Sequence, residues 1–470
     1  TNAYYLLEQA ARGDTQTVKD LFRTAASLNM TVVRTWGFFD SPDSTNPAVI
    51  QYRPGAYNER ALQALDFVLL QARLHNIRLL IPLVNNWDDY GGMNQYVRWR
   101  SEMGVPSDRP HRRYSSADLS VVIQGTGGRS YRYALNEQFG HDDFYTDSII
   151  GYWYQSYILA LVNRVNTLTG VRYRDDPFVL GWELANEPRS SDRTGVSVQR
   201  WVERSATFLK SVDPNHLVGT GEEGFDVRAD GYSTPFYNNQ VWLFDGTAGV
   251  SFRQNIVTAP IDFGSCHLYP ESWNLPYSAG ATWIRDHARL GRAAGKPVLV
   301  GEFGARTQRA AVYESWLNAA LHDGAAGAMV WQILEGTRTD REGYGFRCPG
   351  EEVTCERLGS AGERFIAKSS GVMLQPPVLF ALRQNYPNPF NAVTIIPYSL
   401  PVETHVNISV FTTTGEHAVT VVDAVQGPGE RKELLDGLML ASGAYFYQMK
   451  VTIPSNGMVY RSTRKLILIR

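Results

Sequence analysis

Over residues 1–370 of this 470-residue chain, short apolar runs alternate with stretches whose apolar residues recur at helical spacing. The runs are "NAYYL", "TVVRTW", "RLLIPLVN", "VLGWEL", "HLVGTG", "IDFGSCHL", "KPVLVGEF" and "GAMVWQ". Helical patterns are expected over Thr17–Leu28, Arg60–His75, Ser148–Leu168, Val198–Val212, Ala281–Ala294 and Ala310–His322. Strands that alternate with helices build parallel sheets, and eight of them close into a barrel more readily than they form an open sheet. The predicted fold is therefore α/β, a (β/α)8 TIM barrel, which takes roughly 250 residues before insertions. No glycine-rich phosphate fingerprint follows the first run, which counts against a nucleotide-binding sheet.

A second unit is expected after a linker at 371–390. Beyond it, "TIIPYSL", "VNISVFTT", "HAVTVVD", "GAYFYQMKV" and "RKLILI" alternate apolar and polar residues between Gly and Pro turns. That spacing predicts a small immunoglobulin-like all-β sandwich over 391–470.

Lys+Arg at 45 nearly balance Asp+Glu at 47, so no charge excess points to nucleic acid. No apolar stretch reaches the roughly 20 residues that membrane insertion needs. Cys348 and Cys355, in the polar stretch "CPGEEVTCE", are expected to form a disulfide, which fits an oxidising compartment. Cys266 lies in an apolar run and reads as a buried thiol. The chain opens as "TNAYYLLEQ", inside a predicted strand and without Met, so residues upstream of it are expected.

Two connections are far longer than a barrel needs: Trp87 to about Asp147, and Gly221 to about Pro260. Both follow strands, which places them on the C-terminal face where barrels keep their active sites. Their Trp, Tyr and Phe content argues against disorder and for platforms under flat apolar rings. At the strand ends stand Arg34, Asn186, Glu187, His267, Tyr269, Glu302 and Trp331. Two carboxyls at one mouth are what acetal hydrolysis requires: one protonates the leaving oxygen while the other meets the oxocarbenium-like centre. The plain alternative for either Glu is a structural salt bridge, for instance with Arg34. A metal site built from His267, Glu187 and Glu302 is the competing chemistry. The sequence has no HExxH or paired-His spacing to support it, and no GxSxG turn for a serine hydrolase.

"WELANEP" and "VGEFGA" resemble the acid/base and nucleophile motifs of glycoside hydrolase family 5. "TNAYYL", "VVRTWGF", "NNWDDYGGMNQYVRW", "GEEGF" and "IDFGSCHLYPESW" resemble, in the same order, motifs of its endo-β-1,4-mannanases. The resemblance implies a retaining endo-hydrolase of β-1,4-mannan, galactomannan and glucomannan that uses no cofactor or metal. It implies Glu187 as acid/base and Glu302 as nucleophile. Arg34, Asn186, His267 and Tyr269 would support charge and protonation, with Trp331 beneath the sugar being cleaved. Trp87, Arg189 and Glu223 would contact substrate, Glu223 being chosen over Glu222 by alignment of "GEEGF". A β-1,4-glucanase or an exo-β-mannosidase would share the same glutamates, and a non-catalytic polysaccharide-binding protein would lack part of the set. "QNYPNPFN", "LASGAYFYQMKV" and "RKLILIR" resemble a type IX secretion sorting domain, which implies a secreted or cell-surface protein whose C-terminal unit meets the secretion machinery.

Overall fold

The computed structural model describes residues 1–103, 139–228, 239–371, 380–400, 404–426, 429–438, 440–452 and 459–469, with 123–124, 130–131 and 237. The chain divides into two compact units, Thr1–Phe365 and Ile366–Arg470.

In the first unit, seven of the eight apolar runs form parallel strands. They are β1 (Val32–Arg34), β2 (Arg78–Pro82), β3 (Val179–Glu183), β4 (Leu217–Gly219), β5 (Gly264–Leu268), β6 (Val298–Phe303) and β7 (Gly327–Val330). β1-β2-β3-β4 and β7-β6-β5 pair in those orders, and a parallel bridge from Gly219 to Phe263 joins the two arcs. The eighth run departs from expectation. Only Thr1–Ala3 behaves as a strand: Asn2 N–H donates to Val330 O, and Ala3 N–H to Arg34 O. That short segment closes the barrel between β7 and β1. "LLEQAA", rich in helix formers, then folds as a helix over Leu6–Ala11.

The outer layer carries α1 (Thr15–Ser27), α2 (Glu59–Leu74), α3 (Ser148–Val162), α4 (Val196–Val212), α5 (Ala279–Ala294), α6 (Arg309–Asp323) and α7 (Glu352–Gly371). α3 stops at Val162, short of the expected Leu168. Asn166 Oδ1 accepts the N–H groups of Leu168 and Thr169, and Asp66 accepts that of Thr167, so a side-chain-held turn replaces the helical ladder. α7 is absent from the sequence reading. The Cys348–Cys355 disulfide lies at its start, and Cys266 is buried and free. Among the described residues no helix is long and apolar enough to cross a membrane.

Apolar residues fill two layers. The larger cluster lies mostly between strands and helices, while Leu80, Phe263 and Met329 form a separate small plug with Val32 and Leu299. The C-terminal strand ends carry buried polar residues instead: Arg34, Glu183, Asn186, His267 and Glu302. The first long connection contains a helix at Gly92–Glu102, and residues 104–122, 125–129 and 132–138 of it lie outside the described residues. The second holds a short helix at Phe252–Ile256, with 229–236 and 238 outside the description.

The second unit is two antiparallel sheets. β8 (Ala381–Leu382), β9 (Val393–Leu400) and β12 (Gly429–Asp436) form one. β10 (Thr404–Thr412), β11 (His417–Gln426), β13 (Gly443–Thr452) and β14 (Val459–Leu468) form the other, in the order β11-β10-β13-β14. Period-two alternation puts Ile396, Tyr398, Val406, Ile408, Val410, Tyr447, Met449 and Val451 into one core. Two details correct the sequence reading. β8 and Tyr386, which bridges Ile395 of β9, lie inside the expected linker, whose residues 372–379 are outside the description. β12 is the charged run "GERKELLD", an edge strand that buries Leu435 while Leu434 faces out, so it lacks the apolar signal of a central strand.

Asp40, just beyond β1, supplies a stability prediction. It is buried, takes a hydrogen bond from Gln51 on Oδ1, and has no partner on Oδ2 among the described residues. Burial pushes its pKa up to about 8 from an ordinary 3.8. Between those values the folded chain holds a proton that the unfolded chain has lost, so stability falls as pH rises, by up to about 1.4 kcal/mol per unit. Asp40→Asn should reduce that slope in urea melts at pH 5, 6 and 7.5. An unchanged slope would mean that Asp40 is ionised in the folded protein.

Candidate active site

The peptide before the first carboxyl is stitched to strand extensions on both sides. Asn186 N–H donates to Val84 O at 2.7 Å, and Glu187 N–H to Gly221 O at 2.8 Å. Glu187 itself sits at φ 53°, a left-handed conformation rare for a residue with a side chain and typical of held functional sites. Opposite it, the β5–β6 register shifts between Val300 and Glu302, which sets Glu302 beside His267.

Glu187 and Glu302 are both buried, and one carboxylate oxygen of each and a ring nitrogen of His267 lie within 4.8 Å of one another. All four oxygens are engaged. Trp87 Nε1–H donates to Glu187 Oε2 at 2.6 Å, and His267 Nδ1 lies 2.8 Å from Glu187 Oε1. Arg34 Nη1 donates to Glu302 Oε1 and Tyr269 Oη to Glu302 Oε2, each at 2.6 Å. A metal ion between the carboxyls would have to displace these donors, one of them a guanidinium.

Arg34 is the hub. Its Nε donates to Glu183 at 2.6 Å, Nη1 also to Asn2 at 3.3 Å, and Nη2 to Asn186 at 2.8 Å. Asn186 in turn donates to Asn85 at 3.1 Å. Burial raises the pKa of both Glu187 and Glu302; Arg34 opposes this at each, and the charge of Glu187 adds to it at Glu302. Two carboxyls this close share one proton at moderate pH. It resides on Glu187, whose donors are neutral, whereas Glu302 touches a cation. Burial also lowers the pKa of His267, leaving a neutral ring, and raises that of Tyr269, so the phenol remains a donor.

The structure brings every sequence-predicted site residue to this mouth or its rim. Arg189 grips Glu223 through two bonds of 2.6 and 2.7 Å, between the rings of Trp87 (5.1 Å) and Phe225 (4.8 Å). Glu222 points elsewhere, to Thr220 and Asn255. Trp87, expected as a platform, also serves as a donor to Glu187. Its loop folds tightly at Gly91 and Gly92, where an added Cβ would lie 1.8 Å from Asp40 O and 2.3 Å from Asn85 O. Trp331, joined to Gln332 by a cis peptide, stacks on Tyr4 at 5.2 Å with planes 6° apart.

Glu183, Asn2, Asn85 and Tyr4 were not among the sequence candidates. Glu183 was visible in principle, since a carboxylate inside an apolar strand needs a cation and Arg34 ends a neighbouring run.

A family model described as GH family 5 beta-mannosidase-like matches residues 13–339. The chain belongs to this glycoside hydrolase family. Mannan endo-1,4-β-mannosidase 2 of Oryza sativa subsp. japonica is 35% identical over 380 residues, 76% of this chain and 77% of the relative. The solved endo-β-1,4-mannanase of Thermotoga petrophila matches with TM-score 0.65 at 26% identity, covering 100% of this chain and 97% of that one. That of Rhizomucor miehei gives 0.63 at 31% identity, over 78% of this chain and 94% of that one. In this family 5 member the motif residues therefore occupy the open end of a barrel shared with solved mannanases.

Proposed function

We infer that this chain is a retaining endo-hydrolase of β-1,4-mannosidic linkages, acting on mannan, galactomannan and glucomannan. One observation carries the stereochemical part. One oxygen of each carboxyl lies within 4.8 Å of the other, which suits the roughly 5–5.5 Å of direct attack better than the roughly 6.5–9.5 Å that inversion needs for its water. Glu302, held ionised by Arg34 and Tyr269, attacks the anomeric carbon as Glu187 passes its proton to the departing oxygen. A mannosyl ester on Glu302 results. Glu187, now a base, takes a proton from water, the hydroxide adds to the anomeric carbon, and Glu302 leaves. Asn186 faces the sugar 2-hydroxyl, and Trp331 lies under the ring. Arg189 and Glu223 line the leaving-group side, and Trp87 is a further platform for substrate.

The test is reducing-sugar release from linear mannan, with carboxymethyl-cellulose and xylan alongside and mannohexaose products sized. Preference for mannan with mixed oligomers is expected. Equal turnover of cellulose would leave the chemistry and overturn the substrate; mannose as sole product would overturn the endo mode.

The C-terminal sandwich is proposed to be a sorting domain for type IX secretion, giving a secreted or surface-held enzyme. The support is its "QNYPNPFN" entry, its β-sandwich pattern and its basic-apolar end. A reporter carrying residues 366–470, expressed with a leader in a bacterium that has this system, should reach the medium or cell surface. Periplasmic retention would overturn the proposal.

A further inference from the structure

We propose that Ser265 is a positioning residue for the acid/base: its hydroxyl is the hydrogen-bond donor to His267 Nε2, which keeps the ring proton on Nδ1, aimed at Glu187. The inference rests on the hydrolase reading above, in which Glu187 is the acid/base, and adds a residue to it.

β5 has the sequence "GSCHL", and period-two alternation sends Ser265 and His267 to one face while Cys266 turns to the other. All three are fully buried. Next to them β6 carries Gly301, at the point where its register against β5 shifts between Val300 and Glu302. The Gly301 carbonyl accepts Asn2 Nδ2 at 2.9 Å, which ties this stretch of β6 to the closing segment of the barrel. A Cβ on Gly301 would stand 2.6 Å from Ser265 Oγ and 3.2 Å from His267 Nε2. The hydroxyl and the ring nitrogen therefore border the same spot, and a side chain at 301 would press on both.

Among the described residues neither Ser265 Oγ nor His267 Nε2 has a hydrogen-bond partner, although both atoms are buried. Buried polar atoms in folded proteins are paired, and these two pair with each other, directly or through one water molecule. The direction of the bond follows from the other ring nitrogen. Nδ1 lies 2.8 Å from Glu187 Oε1 and 3.6 Å from Glu302 Oε2, so it faces two carboxyls and carries the proton. Burial keeps the ring neutral, which leaves on Nε2 a lone pair that can only accept. The Ser265 hydroxyl is the donor it needs, and a donor there fixes the tautomer.

Glu187 must offer its proton to the departing oxygen and not to the ring. With Nε2 occupied by a donor, Nδ1–H donates to Glu187 Oε1 whether the carboxyl is protonated or ionised. Without the Ser265 hydroxyl the protonated pair gains alternatives. The ring proton can move to Nε2 while Nδ1 accepts from Glu187, or the ring can take the Glu187 proton outright. The ionised pair has no such choice, because the carboxylate still needs Nδ1–H. Loss of Ser265 therefore favours the protonated pair and makes its proton less available to substrate. The charged groups around the ring are Glu187 and Glu183 from β3 and its extension, Glu302 from β6, Arg34 from β1 and Glu223 beyond β4. Exchanging one neutral side chain for another leaves all of them in place, so the change in titration reports on Nε2.

The experiment compares wild type, Ser265→Ala and Ser265→Thr by ¹⁵N NMR of the histidine rings, with a His267→Gln sample identifying the signal. Their pH profiles are measured on linear mannan and on an aryl β-mannoside with an acidic phenol. Wild type should show a protonated Nδ1 and an Nε2 that accepts a hydrogen bond. In Ser265→Ala that signature should be lost and kcat/KM on mannan should fall about tenfold, the scale of one hydrogen bond. The alkaline limb of its profile should move to higher pH. Departure of an acidic phenol needs no proton, so that first step should stay within about threefold of wild type. Ser265→Thr keeps the hydroxyl and should keep the wild-type ring signals and limb. A protonated Nε2 in wild type would overturn the proposal, and that reading depends on no variant. Ring signals or mannan kinetics unchanged in Ser265→Ala would also overturn it. So would a Thr variant that loses as much as Ala, or equal loss on both substrates, which marks a residue that only fills space. If wild type cleaves neither mannan nor cellulose the hydrolase reading falls, while the ring signals still decide whether Ser265 holds Nε2.

Discussion

Glu302→Ala is expected to lower kcat on mannan by about 10⁴-fold or more, the scale seen when a nucleophile is deleted elsewhere. The variant should still bind mannan, because its platforms remain. Glu187→Ala should lose roughly 10²–10⁴-fold, as for other general acids, but only where the leaving group needs a proton. An aryl β-mannoside with an acidic phenol separates the two. In Glu187→Ala, Glu302 still displaces the phenolate, so the first step survives and the mannosyl enzyme accumulates. In Glu302→Ala no ester can form. Added azide sharpens the contrast through stereochemistry. With Glu302 gone, azide enters its vacated space and attacks from the α face, giving the α-mannosyl azide. With Glu187 gone, azide attacks the ester on Glu302 from the β face and gives the β-azide. Product anomers opposite to these would exchange the two roles. Unchanged turnover in Glu302→Ala would remove it from the mechanism.

What could be read from the sequence follows from where the physics is local. Arg34, Glu187, His267, Tyr269 and Glu302 each stand at or just beyond the end of an apolar run, and strand ends of a β/α barrel converge whatever the intervening loops do. The seven interior strands were legible for the same reason. Direction was not. Trp87 reads as an aromatic in a long loop, and only the folded Gly91–Gly92 turn shows its N–H aimed at Glu187. Tyr4 and Tyr5 looked like strand residues because "NAYYL" is apolar and β-favouring, yet the chain turns away once Asn2 has bridged β1 and β7. β12 was illegible because an edge strand needs only one apolar residue per turn of the pleat, and "GERKELLD" offers little more.

Arg34→Met is expected to destabilise the barrel by about 3–5 kcal/mol, the cost of removing one member of a buried ion pair. The guanidinium is the cation hydrogen-bonded between two buried carboxylates, Glu183 and Glu302, each 2.6 Å away. Among the described residues neither then has a comparable counter-charge, and a buried carboxylate left without its cation is costly. Protonation of Glu302 removes the nucleophile, so the variant's remaining activity should require higher pH than wild type's. Stability and catalysis then separate in a second variant. Arg34→Met with Glu183→Gln removes a stranded carboxylate along with the cation, and should recover part of the lost stability in urea melts. It should recover no activity, because Glu302 still lacks Arg34. Coupling of that sign is what a shared guanidinium requires. A double variant no more stable than Arg34→Met would show that losing Arg34 strands no charge at Glu183, and would overturn the account of one guanidinium shared between the two carboxylates.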